Sequence, residues 1–205
     1  MAQTLNNDRP LGSRELQRRE TRRNLAEQAI RLFKSQGFDE TTVEEIASAA
    51  GVSTRTFFLH FPTKAAAAFP DHGERIADFI DRLNDGAPHV NPLFHLRSVL
   101  LSRLETTDPS RLARYTLLSR VPELRDEDAR TDRDYETAIA DYLMLHWGTG
   151  PEAELRANAI ANTVIGVARA ALSVGGEHGL DVRSAADDIM QRMFGTPFDV
   201  PLQSL

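Results

Sequence analysis

Apolar residues recur at helical spacing almost from one end of this chain to the other. Leu25, Ala29, Leu32 and Phe33 stand at i, i+4, i+7 and i+8, the stripe of an amphipathic helix, and Gly37 supplies its stop. Thr41 and Thr42 each precede a glutamate by three positions (Glu44 and Glu45), so either can open a capping box. The helix that follows has Val43, Ile46, Ala47 and Ala50 on its inward face. Gly51 breaks it, Val52 is predicted as a buried turn residue, and Ser53 caps a third helix of about two turns. Phe57 and Phe61 face inward there, Pro62 ends it, and Thr63 can cap the next helix.

The remainder also reads as helix. Ile76, Phe79, Ile80 and Leu83 form a stripe whose start is set or kinked by Pro70, and residues 84–88 read as a loop. Leu93, Leu96, Leu100 and Leu104 follow, then Leu112, Tyr115 and Leu118 after a restart at Asp108-Pro109. A long helix runs from the break at Val121-Pro122 to Trp147, another from Pro151 to Gly175-Gly176, and a last one from Val182 to Phe194. No run alternates as a strand does, and no repeat is present. The expectation is an all-α fold of about nine helices: a flexible segment over 1–16, a helix-turn-helix domain over 17–63, and a larger helical domain over 64–205. No run approaches the roughly 20 apolar residues of a membrane span, and residues 1–10 lack the apolar core of a signal peptide. The chain is therefore expected in the cytoplasm, without a membrane partner.

Charge changes the picture once it is located. The 205 residues carry 24 Lys+Arg and 30 Asp+Glu, a formal −6, but residues 1–64 sum to +2 and the rest to −8. That asymmetry places an anionic partner at the N-terminal third. With no cysteine there is no disulfide, thiol catalysis or cysteine metal site. The six histidines lack metal-ligand spacing, and there is no phosphate-cradling glycine loop or nucleophile elbow. No metal, cofactor or catalytic residue is expected. The run Asp126, Glu127, Asp128, Asp132 and Asp134, mixed with Arg125, Arg130 and Arg133, reads as a solvated helix end or loop.

Residues 42–61 have the size and punctuation of a helix-turn-helix, whose second helix lies in a DNA major groove. With Phe57 and Phe61 inward, Arg55, Thr56, Phe58 and Leu59 point away from the core. Arg55 suits guanine O6/N7, Thr56 a base or phosphate, and Leu59 a thymine methyl. Lys64 and the first helix's Arg18, Arg19, Arg22 and Arg23 are expected to meet flanking phosphates.

The stretch from Phe33 to Lys64 resembles the DNA-binding domain of the TetR family of transcriptional regulators. Gly37-Phe38, Thr41-Thr42-Val43, Ile46-Ala47, Ala50-Gly51-Val52-Ser53, Thr56 and the block Phe57–Lys64 carry the resemblance. It implies a homodimer reading a palindromic double-stranded operator, an effector pocket in each C-terminal domain, and most often a repressor. In that family the aromatic pair before the histidine often offers a tyrosine hydroxyl to phosphate. Phe58 and Leu59 stand there instead, so backbone positioning passes to His60, Thr42, Lys64 and backbone amides. The interface set is then Arg22, Thr42, Ser53, Thr54, Arg55, Thr56, Phe58, Leu59, His60 and Lys64. The alternatives are an all-helical binding protein or enzyme of the same fold that no longer reads DNA, and an activator without effector.

The last two long helices are expected to make the dimer, because apolar residues on the first of them cover more than one face. Ile160, Val164, Val167, Ala171, Ile189 and Met193 are the candidate contacts. Tyr135, Ile139, Tyr142 and His146 share one stripe with Trp147 beside it, the mixture of an apolar cavity with a few polar groups. Arg97 and Arg103 can each meet an anionic ligand or a surface carboxylate. Arg103, Tyr115, Tyr142, His146 and Trp147 are the candidate contacts for an unidentified small molecule.

Overall fold

A computed structural model describes residues 12–86, 91–104 and 121–195, and among these every regular element is helical. Among the described residues there are eight helices: α1 (Ser13–Gln36), α2 (Val43–Ala49), α3 (Thr54–His60), α4 (His72–Asn84), α5 (Pro92–Leu104), α6 (Pro122–Trp147), α7 (Pro151–Ala170) and α8 (Val182–Phe194). A 3₁₀ turn spans Ala65–Ala68, and a π-helical turn over Ala171–Gly175 prolongs α7 into a short helical turn at Gly176–His178. The chain divides into two compact units, Met1–Pro70 and Asp71–Leu205.

The first unit packs α1, α2, α3 and the 3₁₀ turn around Leu25, Ala29, Phe33, Ile46, Phe57 and Phe61. The 3₁₀ turn belongs here because Ala66, Ala67, Ala68 and Phe69 are buried. The expected boundary after 63 therefore lies further along the chain. Ser13–Leu16, expected within the flexible segment, form the first turn of α1, and residues 1–11 lie outside the described residues.

The second unit joins α6 and α7 as an antiparallel pair through Gly148–Gly150, with α4, α5 and α8 packed around them. Leu96, Leu100, Ile139, Leu143, Ala157, Ala161, Val164 and Met190 fill the centre. By length and mean hydropathy alone, Pro151–Gly175 is apolar enough to cross a membrane, contrary to the sequence expectation. Its small apolar side chains instead bury against α6, where close helix approach requires small residues.

The same packing corrects half of the expected dimer contacts. Val164, Val167 and Ala171 are enclosed by their own unit, so they are core residues. Ile160 is half-buried, and Ile189 and Met193 are exposed. The charge run on α6 is likewise only partly solvated: Asp128 and Thr131 face inward and are buried.

Candidate nucleic-acid interface

Two caps and one glycine shape the helix-turn-helix. The Thr42 hydroxyl accepts from the Glu45 N–H at 3.1 Å, while the Glu45 carboxylate accepts from the Thr42 N–H at 2.8 Å. Those bonds to Thr42 hold the Glu45 carboxyl below its ordinary range. At the other end of α2 the Val52 N–H donates to the Ala47 carbonyl and the Gly51 N–H to that of Ser48, a Schellman closure with Gly51 at φ 72°. No neighbouring atom lies within 4 Å of where a Cβ would stand on Gly51, so conformation rather than space demands glycine. Ser53 then caps α3 by accepting from the Thr56 N–H at 3.1 Å, and the two hydroxyls meet at 2.9 Å. Val52 is half-buried rather than buried.

These constraints aim one face of a two-turn helix outward. Phe57 and Phe61 are wholly buried, 5.6 Å apart by ring centroid, which leaves Arg55 exposed, Phe58 55% exposed and Leu59 69% exposed. Leaving two large apolar side chains in water is costly unless a partner covers them. Ser53 and Thr42 are also exposed, and Thr54, Thr56 and His60 are half-buried. Burial and the neighbouring Arg22 and Arg18 charges push the His60 imidazole below its ordinary range.

Two cations expected at phosphates are engaged inside the unit instead. Lys64 Nζ donates to the carbonyls of Phe38 at 2.6 Å and Thr41 at 2.8 Å, and stands 4.1 Å from the Phe38 ring centroid. The Arg22 guanidinium lies over Phe61 at 4.3 Å and donates to the carbonyls of Pro70 and His60. Each clamps an end of the domain that backbone hydrogen bonds alone leave open. Sequence reasoning missed this because a lone cation's partners are carbonyls far away in the chain. Arg18, Arg19 and Arg23 form exposed pairs with Glu15 and Glu27, which are weak enough to exchange for a phosphate.

The second unit holds a cavity of about 50 Å³. Its polar lining is Arg75 from α4, Arg103 from α5, Asp132 and Tyr135 from α6, and Arg169 from α7, with Phe79 and other apolar side chains between them. Of the expected effector contacts, Arg103 is there. Tyr142 is buried next to His95, His146 is exposed and hydrogen-bonded to its own helix, and Trp147 lies under Arg156; none of the three lines the cavity. Tyr115 is outside the described residues. The stripe misled because Tyr135 and Tyr142 sit about two turns apart on α6 and open onto different neighbours. Arg97 is engaged by Asp187 through two bonds, at 2.7 and 3.0 Å.

A small capped unit that presents an arginine and two apolar side chains on a short second helix belongs to the class of helix-turn-helix DNA-binding proteins. The family model "Bacterial regulatory proteins, tetR family" matches residues 25–66, and the model "MftR C-terminal domain" matches 99–195. The chain is 32% identical to the HTH-type transcriptional regulator TcmR of Streptomyces glaucescens, over 71% of this chain and 68% of that one. It is 29% identical to the transcriptional regulator MftR of Mycobacterium tuberculosis, over 93% and 94% respectively. The fold is also that of SmeT, solved with triclosan, at a TM-score of 0.60 and 18% identity over 89% of this chain and 95% of that one. The chain belongs to the TetR family of bacterial regulators, and it is a DNA-binding regulator of transcription.

Proposed function

We propose that this regulator is a cytoplasmic homodimeric repressor, not an enzyme, which leaves a palindromic operator when a small molecule fills the cavity of the second unit. The exposed trio Arg55, Phe58 and Leu59, held on a helix capped at its start and buried along its other face, carries the reading. Arg55 reads a guanine, Phe58 and Leu59 cover thymine methyls, and Thr42, Ser53, Thr54, Thr56 and His60 meet sugar and phosphate. SmeT, of the same fold, was solved with a small molecule, which supports an effector. The helix α4 supports the coupling: it starts directly after the first unit ends and supplies Arg75 and Phe79 to the cavity. The cavity is smaller than the roughly 300–1,000 Å³ typical of ligand sites, so an occupant must displace its walls.

Arg55→Ala is expected to weaken specific binding to the chain's own upstream region by about 1–3 kcal/mol and to relax one base position. A competition gel-shift reads both, and an unchanged sequence preference would remove Arg55 from the reading set.

Ile189 and Met193 of α8 leave apolar surface exposed, Met193 to 57%, and a second copy packed on that face by a two-fold axis would cover it. Ile189→Glu with Met193→Glu is expected to convert a dimer to a monomer in sedimentation velocity while the helical content persists. A dimer that survives both charges moves the interface elsewhere.

A further inference from the structure

The cavity of the second unit has an uneven charge balance. Among the described residues three guanidiniums and one carboxylate line it, Arg75 and Arg103 also reaching Asp71 and Asp78 outside the lining. Arg103 is deeply placed, its side chain 14% exposed, and its Nη2 donates to the Tyr135 hydroxyl at 3.1 Å. It also donates to the Arg75 carbonyl, reaches Asp78 at 3.4 Å, and lies over the Phe79 and Tyr135 rings. Arg75 pairs with Asp71 at 3.8 Å. At the rim, Arg169 Nη1 meets Asp132 Oδ2 at 3.0 Å, with the Asp132 side chain only 17% exposed.

Asp132 is a poor permanent counter-ion. Burial first, and then the Asp128 and Glu136 carboxylates one turn to either side, push its carboxyl up to about 7 against the pull of Arg169. The charges acting on it among the described residues are those two carboxylates on α6 and Arg169 on α7; Arg75 on α4 and Arg103 on α5 line the same cavity, and His72, paired with Asp134 at 2.6 Å, packs on the Tyr135 ring. The ionised form of Asp132 is disfavoured where it stands, against Arg169. Arg169 thus keeps a partner that gives up its charge easily. The backbone is also irregular here: Arg169 lies in the last turn of α7, and Leu172, another lining residue, sits in the π-helical turn, a departure from α geometry that recurs at functional sites.

We infer that the cavity takes an apolar molecule ending in a single anionic head group, which engages Arg169 and Arg103 and displaces Asp132 from Arg169. The inference rests on the second unit being the effector domain. Phe79, the aliphatic lining and the Tyr135 ring receive the apolar body. The head group replaces the Asp132 carboxylate at Arg169, and one proton from solvent goes onto Asp132, so two carboxylates never compete for one guanidinium. A neutral molecule gains nothing from the arginines. A cation would hold Asp132 ionised and face three arginines.

Titration calorimetry on the full-length protein without DNA tests this with phenylbutyrate and phenylhexanoate, each set against its alcohol and its amine. The carboxylates are expected to bind about 10–100-fold tighter than the matched alcohols, the value of a charge-assisted hydrogen bond. Their affinity should be flat well below pH 7 and fall about tenfold per unit above it, the signature of one linked proton. Asp132→Asn should bind the carboxylates with no pH dependence and more tightly at high pH. Arg169→Gln should remove the preference for the carboxylate and spare the alcohol, and combining it with Asp132→Asn gives the same result without leaving a buried carboxyl unpaired. The sign also shows in stability: a carboxyl raised in the folded state withdraws stability as pH rises through about 7, so Asp132→Asn should raise Tm at alkaline pH and not at acid pH. Alcohols or amines binding as tightly as carboxylates, carboxylate binding indifferent to pH, or no binding across the series overturns the inference. A gel-shift keeps the two readings apart. Carboxylates that bind with proton linkage but leave the operator complex intact refute effector release alone. Release by a neutral compound with no carboxylate binding refutes the head-group inference alone.

Discussion

Phe57→Ala is expected to cost the first unit about 3–5 kcal/mol and to abolish operator binding through loss of fold. The side chain is wholly buried and touches the rings of Phe58 and Phe61. Helices α2 and α3 have seven residues each, far below the roughly 12–15 at which an isolated helix becomes even marginal in water. Their order therefore comes from this packing and from the caps. A 3–5 kcal/mol loss is a large share of the stability of any domain and the greater part of what a unit this small holds. Circular dichroism melts should lose a low-temperature transition, and gel-shifts should show no complex at any salt concentration. Phe57→Leu, which keeps most of the volume, should retain both. A Phe57→Ala protein that melts and binds like the parent would mean that α3 is not held by its inward phenylalanines.

Lys64→Met is expected to destabilise the first unit by about 2–3 kcal/mol, because it strips both carbonyl partners from one ammonium while keeping the apolar stem. The lysine also loses its place over Phe38, so the turn that leads into α2 loosens. A phosphate contact would behave otherwise: stability would stay put, and the slope of binding against salt would drop by about one. Urea melts with operator binding at several salt concentrations separate the two roles. An unchanged melt with a shallower salt slope would return Lys64 to the DNA surface.

Much of the helix-turn-helix was legible because its signals are local. The threonine–glutamate and serine caps, the glycine at the turn and the i, i+4 phenylalanine pair each act within a few residues, and the structure forms all of them. Orienting Phe57 and Phe61 inward was enough to place Arg55, Phe58 and Leu59 outward. Arg22 and Lys64 were misread for the opposite reason. A cation on an amphipathic helix has the same local pattern whether it faces a phosphate or a carbonyl 38 or 26 positions away. In the second unit, the α6 charge run hid Asp132 because five of its eight charged residues face water, and only the approach of α7 turns one into a cavity wall.

By itself the sequence determined the helical class, the ends of most helices, the outward face of α3 and the basic character of the segment that carries it, since each follows from spacing, caps and residue chemistry inside one element. The tertiary structure alone decided which cations are internal clamps, which small residues of α7 are core rather than surface, where the cavity opens, and that Asp132 lies in it between Arg169 and two carboxylates. Those are properties of distances between elements. Burial and pairing free energies depend on what another helix brings within a few ångströms, and no periodicity along the chain encodes that.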